Sequence, residues 1–96
     1  MRIGIIGFGY VGQAIGWAYK NYDIIIRDPK FKHSESLDKF VNCDAIFVCV
    51  PTPTDDTNYQ TLKEILDTIK ETEYKGIVVV KSTILPQHLE GYDVVY

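Results

Sequence analysis

A short apolar run, Arg2-Ile3-Gly4-Ile5-Ile6, passes without a break into Gly7-Phe8-Gly9-Tyr10-Val11-Gly12, and that string opens a segment of helical period. The string alone is common; a position between a strand and a helix makes it informative. Each glycine then has a separate task. Gly7 makes the tight turn, Gly9 lets the backbone approach a pyrophosphate, and Gly12 lets the helix lie close on the sheet. The N–H groups of Tyr10 and Val11 stand at a helix N-terminus, where unbonded donors and the macrodipole favour an anion. Gly16, one turn after Gly12, continues the small face and is read as helix–sheet packing.

The same alternation of periods runs along the chain. Asp23-Ile24-Ile25-Ile26-Arg27, Asp44 to Val50, Gly76 to Lys81 and Tyr92 to Tyr96 are further apolar runs, so five strands are expected. Their hydrophobicity is continuous rather than alternating, which implies burial on both faces of a parallel sheet. Val11, Ile15, Ala18, Tyr19 and Tyr22 give a first helix, and Leu62, Ile65, Leu66 and Ile69 a second, with Thr61-Leu62-Lys63-Glu64 as a capping box at its start. Leu37, Phe40 and Val41 allow a short helical segment, and Pro86 to Glu90 allows about one turn. Pro51 to Asn58 is a loop by composition. Strand and helix in alternation imply an α/β fold, a Rossmann-type doubly wound parallel sheet of about five strands in a single domain.

Ninety-six residues suffice for one hydrophobic core and not for two. With ten Lys and Arg against thirteen Asp and Glu the formal charge is −3, and no basic run is present. That argues against nucleic acid or an anionic membrane as partner. No apolar run approaches the ~20 residues of a membrane span, and no signal-peptide pattern precedes the first strand, so a cytoplasmic protein is expected. Cys43 and Cys49 are six residues apart in an extended segment. That separates their Cα atoms by roughly 20 Å, beyond the ~7 Å that a disulfide spans. His33 and His88 stand alone, and no metal site is expected.

Ligands on sheets of this kind lie outside the carboxyl ends of the strands. Asp28 ends the second strand, 21 residues beyond Gly7, where a carboxylate accepts hydrogen bonds from adenosine ribose hydroxyls. An acid there repels a 2′-phosphate, so NAD is expected rather than NADP. Arg27, Lys30 and Lys32 lie beside it; a cation there could neutralise a phosphate, and all three are read as a solvated basic edge. The third strand ends in Val50-Pro51-Thr52-Pro53-Thr54, where Thr52 offers a hydroxyl to the cofactor and the prolines stiffen the loop. The fourth ends in Lys81-Ser82-Thr83, with two hydroxyls near the expected nicotinamide position. Either strand end also reads as a plain turn or helix cap.

Gly7-Phe8-Gly9-Tyr10-Val11-Gly12, then Cys49-Val50-Pro51-Thr52-Pro53, then Val79-Val80-Lys81-Ser82-Thr83-Ile84-Leu85-Pro86 resemble, in that order, the N-terminal NAD-binding domain of the UDP-glucose/GDP-mannose dehydrogenase family. The resemblance implies an enzyme that oxidises the primary alcohol of a nucleotide sugar to a carboxylate, with two NAD and a cysteine thiohemiacetal. It implies that Asp28 meets the ribose, that Val50, Pro51, Thr52 and Ser82 meet the cofactor, and that Thr83 helps hold a catalytic water. Cys43 and Cys49 do not match the family's nucleophile, which together with its lysine, asparagine and glutamates falls beyond Tyr96. Residues 1–96 are accordingly expected to be the N-terminal NAD-binding part of a longer dehydrogenase, a homodimer in its parent form, binding NAD without turnover. One departure is a stretch from Pro29 to Cys43 shorter than the family usually carries. The NAD domain of a β-hydroxyacid-type dehydrogenase, a non-catalytic nucleotide-binding module and an S-adenosylmethionine-dependent methyltransferase are the other readings of the residues.

Overall fold

The computed structural model describes residues 1–50, 56–81, 91, 94 and 95, with the backbone alone over 56–61. The strands are β1 (Arg2–Ile6), β2 (Asp23–Arg27), β3 (Ala45–Val48) and β4 (Ile77–Val80). Helix α1 (Tyr10–Ala18) joins the first two, a 3₁₀ helix (Leu37–Asn42) precedes β3, and α2 (Asp56–Glu71) precedes β4. All four strands are parallel, in the order β2-β1-β3-β4. The apolar runs thus became strands with ends within a residue or two of those expected, as short β-branched runs between turn residues should.

The expected fifth strand, Tyr92 to Tyr96, lies partly outside the described residues. What is described of it is a single parallel bridge between Val95 and Val79, in which Val80 N–H donates to Val95 O (2.6 Å) and Val95 N–H to Val78 O (2.8 Å). The described sheet therefore has four strands rather than about five.

Alternation along each strand sends side chains to two different layers. Ile6, Ile46, Val48, Val78 and Val80 face one side, where Leu62, Leu66 and Ile69 of α2 and Phe40 of the 3₁₀ helix cover them. Ile3 and Ile5 face the other side, against Ile15 and Tyr19. The Tyr19 ring lies 5.6 Å from that of Phe47. Both faces are covered, as continuous hydrophobicity requires. Gly4 belongs to the first layer, where a Cβ would sit 2.5 Å from the Phe40 ring.

Helix α1 turns to the sheet the small face expected from Gly12 and Gly16, and of the apolar residues at helical period only Ile15 and Tyr19 share it. Gly12 is buried and Ile15, Gly16 and Tyr19 are half-buried, whereas Val11 and Ala18 are exposed and Tyr22 lies past the helix end. The series 12, 15, 16, 19 has helical period as well as 11, 15, 18, 19, 22. Close approach of the helix to β1 selects the glycine-bearing face, because a helix packs nearest where side chains are smallest. The second helix also begins earlier than expected. Residues Asp56–Asn58 are helical, so Thr61 is interior to α2 and the capping-box reading fails. Leu37, Phe40 and Val41 form the expected short segment, with Phe40 buried and Val41 exposed.

No strand occurs between β2 and β3. Residues 28–35 instead form a turn closed by Phe31, whose ring meets that of Phe8 edge-on at 5.1 Å. The order of strands reverses between β1 and β3, which is where such sheets open a crevice.

Candidate functional site

Hydrogen bonds that extend the ladders beyond the strands hold the four carboxyl ends in one row. Gly7 N–H donates to Arg27 O (2.8 Å), Cys49 N–H to Ile6 O (2.7 Å) and Lys81 N–H to Val48 O (2.9 Å). Above that row lies a cleft of about 530 Å³, lined by the glycine turn through Val11, by Asp28 to Lys30, by Cys49 and Val50, and by Lys81. Four separate chain segments supply it, and each arrives at the end of a strand.

The glycine turn is shaped by contacts that only glycine satisfies. Gly7 has φ +92°, and a Cβ there would lie 2.8 Å from the Cys49 carbonyl carbon. A Cβ on Gly12 would land on the carbonyl oxygen of Gly7. Gly9 is different: nothing lies within 4 Å of where its Cβ would be. The open side of the turn is thus at Gly9, which caps α1 with no side-chain hydrogen bond and no acidic residue in the first turn. The first-turn N–H groups of α1 therefore meet no side-chain acceptor at the cap, and the macrodipole adds partial positive charge. Gly12 itself is under the helix and does not line the cleft. Tyr10, 95% exposed, stands at the cleft mouth beside Val11.

Asp28 is fixed before any ligand arrives. Its Oδ2 accepts from Phe8 N–H (2.7 Å) and its Oδ1 from Lys30 N–H (2.8 Å). These bonds, the one from Phe8 first, hold its pKa below the usual carboxylate range, so the group stays ionised at neutral pH. The acid at the end of β2 and the turn at the end of β1 are thereby one unit. A carboxylate has about four acceptor positions, and two backbone bonds leave room for two hydroxyls.

Lys81 lines the cleft and was not among the residues singled out from sequence as ligand-binding. A usable signal existed, since it is the first residue after the apolar run of β4 and strand ends are where ligands bind. Lys30 is exposed, as a solvated edge requires, and also lines the cleft, while Arg27 donates from its guanidinium to Glu35 O (3.3 Å). Among the described lining residues two carry positive charge and one negative, which suits an anion. Cys49 is buried at the floor, and its thiol is pushed up to about 11 by burial, partly opposed by Lys81. Cys43 is likewise buried, with its thiol pushed up to about 11, again mainly by burial. Both cysteines are free, as their spacing requires. Neutral buried thiols are poor nucleophiles.

Val50 lines the cleft, whereas Pro51, Thr52, Ser82 and Thr83 lie outside the described residues, as does the Pro86 to Glu90 turn. Among the described residues no group of His, Cys, Asp and Glu could hold a metal, and no helix is long and apolar enough to cross a membrane. A smaller cavity of about 180 Å³ lies at the amino end of β4 against α2. Its lining is largely apolar, the Tyr74 hydroxyl donating to Cys43 O (2.6 Å) and the Lys70 ammonium to Gly91 O (3.1 Å), so it lacks the converging polar groups of the larger cleft.

The sequence profile for the NAD-binding domain of the UDP-glucose/GDP-mannose dehydrogenase family matches residues 20–93. The match takes in β2 to β4, Asp28 and Lys81, and starts after the glycine turn. An uncharacterised protein of Methanocaldococcus jannaschii is 32% identical over 123 aligned positions, which cover 88% of this chain. The chain spans 14% of that relative's length.

Proposed function

This chain belongs to the UDP-glucose/GDP-mannose dehydrogenase family, matching its NAD-binding domain, and from that premise we propose that it binds NAD as the cofactor part of a nucleotide-sugar 6-dehydrogenase. The observation that carries the proposal is the union of Gly9 and Asp28 on one cleft. Gly9 leaves open space where a pyrophosphate would approach the first turn of α1, and Asp28 stands one hydrogen bond away, tied to Phe8 N–H. The donor set fits the cofactor: backbone N–H groups for the pyrophosphate, a fixed acceptor for the ribose, and cations on the cleft walls.

In this reading Gly7, Gly9, Tyr10 and Val11 form the anion cradle, and Gly12 permits the close packing that aims it. Asp28 takes the ribose hydroxyls. Val50, Pro51, Thr52 and Ser82 flank the cofactor, and Thr83 orients a water beside the nicotinamide. Bound NAD supplies a hydride acceptor. A fixed carboxylate at the ribose disfavours a 2′-phosphate by like-charge repulsion. Titration calorimetry should therefore show NAD binding tighter than NADP by roughly tenfold, about 1.4 kcal/mol. Equal or better binding of NADP would contradict this assignment of Asp28.

Binding and turnover are expected to separate. The parent chemistry requires a nucleophilic cysteine, and Cys49 in the cleft is a neutral buried thiol. Thr83 has no useful basicity near neutral pH, so it can orient water without accepting the alcohol proton, and general base catalysis is typically worth ~10²–10⁴-fold. We expect the purified 96-residue chain to form no NADH from UDP-glucose, UDP-N-acetyl sugars or GDP-mannose, measured by absorbance at saturating NAD. Steady NADH production that is lost in Thr83→Ala would reveal a complete catalytic site and overturn the reading.

A further inference from the structure

Strand β4 is buried on one face only. Val78 and Val80 lie under α2, whereas on the alternate face Ile77 is 57% exposed and Val79 is half-buried. Register sets Ile77 beside Ala45 and Val79 beside Phe47, and both of those pack in the layer beneath α1. Val95, bridged to Val79, is 57% exposed on that same face. Helix α1 joins β1 and β2, toward the other edge of the sheet, and its cover ends where the Tyr19 ring meets Phe47. Phe47, Val79 and Val95 are the floor of an open step beside α1. It is two strand spacings wide, roughly 10 Å, which is about one helix diameter.

The wall of the step is apolar as well. At about 100° per residue, Val11, Ala18 and, just past the helix end, Tyr22 fall on the flank of α1 that Tyr19 turns toward Phe47. The outer face of α1 carries Tyr10, Ala14 and Trp17, the last 71% exposed. No charged residue occurs from Tyr10 to Ala18. A surface helix carries charge opposite its buried stripe, and a helix apolar all round is a buried one. Among the described residues, six of the eight exposed large hydrophobics belong to the floor, the wall or this outer face.

A lone helix laid in the step would leave the outer face of α1 bare. A second copy related by a two-fold axis covers both surfaces at once. Its α1 fills the step, with Ala14 and Trp17 toward the floor and the two helices flank to flank, and its own step receives the first α1. Such a contact is self-complementary and closes at two copies. Charge falls at the rim: Lys75 and Lys81 stand at the two ends of the Ile77 and Val79 strip, and the Lys20 ammonium lies 3.7 Å from the Trp17 ring centre. At their exposures the six side chains offer on the order of 700 Å² per copy, close to the ~800 Å² that each partner gives to a standard interface.

We propose that this face, with Trp17 on its raised half and Ile77 and Val95 on its floor, is the interface through which two copies of the chain pair, α1 of each seated on the open half of the other's sheet. The pairing needs no cofactor.

The test is sedimentation velocity of the 96-residue chain from about 1 to 200 µM, with fluorescence of Trp17, its one tryptophan, read on the same samples. The mass should rise from 11.0 kDa to twice that value with a midpoint in the micromolar range, and Trp17 emission should move to the blue in step. Trp17→Glu and Ile77→Glu should each weaken pairing by ~30-fold or more, the scale of losing an interface anchor. Val41→Glu, exposed on the 3₁₀ helix of the opposite layer, should leave it unchanged. All three positions are exposed, and circular dichroism checks the fold of each variant. Where a variant does not fold, the wild-type emission series decides alone. A chain that stays monomeric to ~200 µM overturns the proposal, as does a dimer whose Trp17 emission is independent of concentration, since it pairs by another face. Dimer retained in folded Ile77→Glu would remove the floor from the interface and overturn it too. So would a ladder of larger species, or a monomer whose Trp17 emission turns blue only with phosphatidylcholine–phosphatidylglycerol vesicles, which would make the face a lipid-binding one.

Discussion

Gly9→Val is expected to abolish NAD binding, raising Kd by about 100-fold or more, ~2.7 kcal/mol, while the far-ultraviolet circular dichroism stays close to that of the wild type. The two halves of that expectation have different causes. Gly9 has φ −78° and ψ −154°, which any L residue adopts, and a Cβ there meets nothing within 4 Å. A valine therefore fits the folded chain, at the cost of a poorer N-cap, about 1 kcal/mol or less against glycine. The space it fills is the space through which a pyrophosphate would reach the first-turn N–H groups of α1. Two methyl groups there hold the phosphates off and shield the donors. Calorimetry of the folded variant decides the matter: normal NAD affinity would remove the glycine turn from the site.

Gly12→Ala should show the opposite pattern, a loss of stability of about 3 kcal/mol that lowers Tm by about 10–20 °C. Its Cβ would land on the Gly7 carbonyl oxygen, and Gly7 cannot retreat. Gly7 N–H is bonded to Arg27 O, its φ is +92°, and the Cys49–Val50 peptide fills the space beside it where a Cβ would lie. The clash is backbone against backbone, so α1 must lift away from β1, and the Ile5, Ile15 and Tyr19 layer opens with it. About 3 kcal/mol is a large share of the ~5–15 kcal/mol that stabilises a domain of this size. Gly16→Ala is the control on the same helix face. Its Cβ would lie 3.4 Å from Phe8 Cε1, an ordinary contact, and alanine improves helix propensity by about 1 kcal/mol. Thermal melting of the two alanine variants should move Tm strongly down for the first and leave it level or higher for the second; equal effects would refute the packing argument.

The contrast between Gly9 and Gly12 was partly legible in the sequence, since each glycine of the motif has its own task. The small face of α1, Gly12 and Gly16, was legible as well, whereas the apolar period around it was not a guide to burial. Of the five apolar residues whose period marked the helix, Ile15 and Tyr19 are half-buried, while Val11, Ala18 and Tyr22 are exposed. A hydrophobicity pattern registers side chains, whereas close packing at Gly12 and Gly16 depends on their lack of one. The start of α2 was missed for a related reason. Pro51, Pro53 and the Asp55-Asp56 pair gave the segment a loop composition through Asn58, and a local capping pattern at Thr61 competed with a helix that begins at Asp56.

What the sequence by itself determined are the features that depend on neighbours along the chain: the four strands, the glycine turn, the short segment at Phe40, and the acid at the end of β2. Runs of β-branched residues between turn residues have few other solutions, and G-x-G-x-x-G between a strand and a helix has fewer still. Tertiary structure alone decided the order β2-β1-β3-β4 and, through it, the membership of the cleft. Asp28, Lys30 and Lys81 are brought to one edge by parallel ladders between strands distant in sequence, with Phe8 N–H reaching the Asp28 carboxylate across twenty residues. Those pairings are set by which faces bury together. No local propensity encodes that choice, because the same apolar runs could pair in other orders until α1 and α2 cover opposite faces of the sheet.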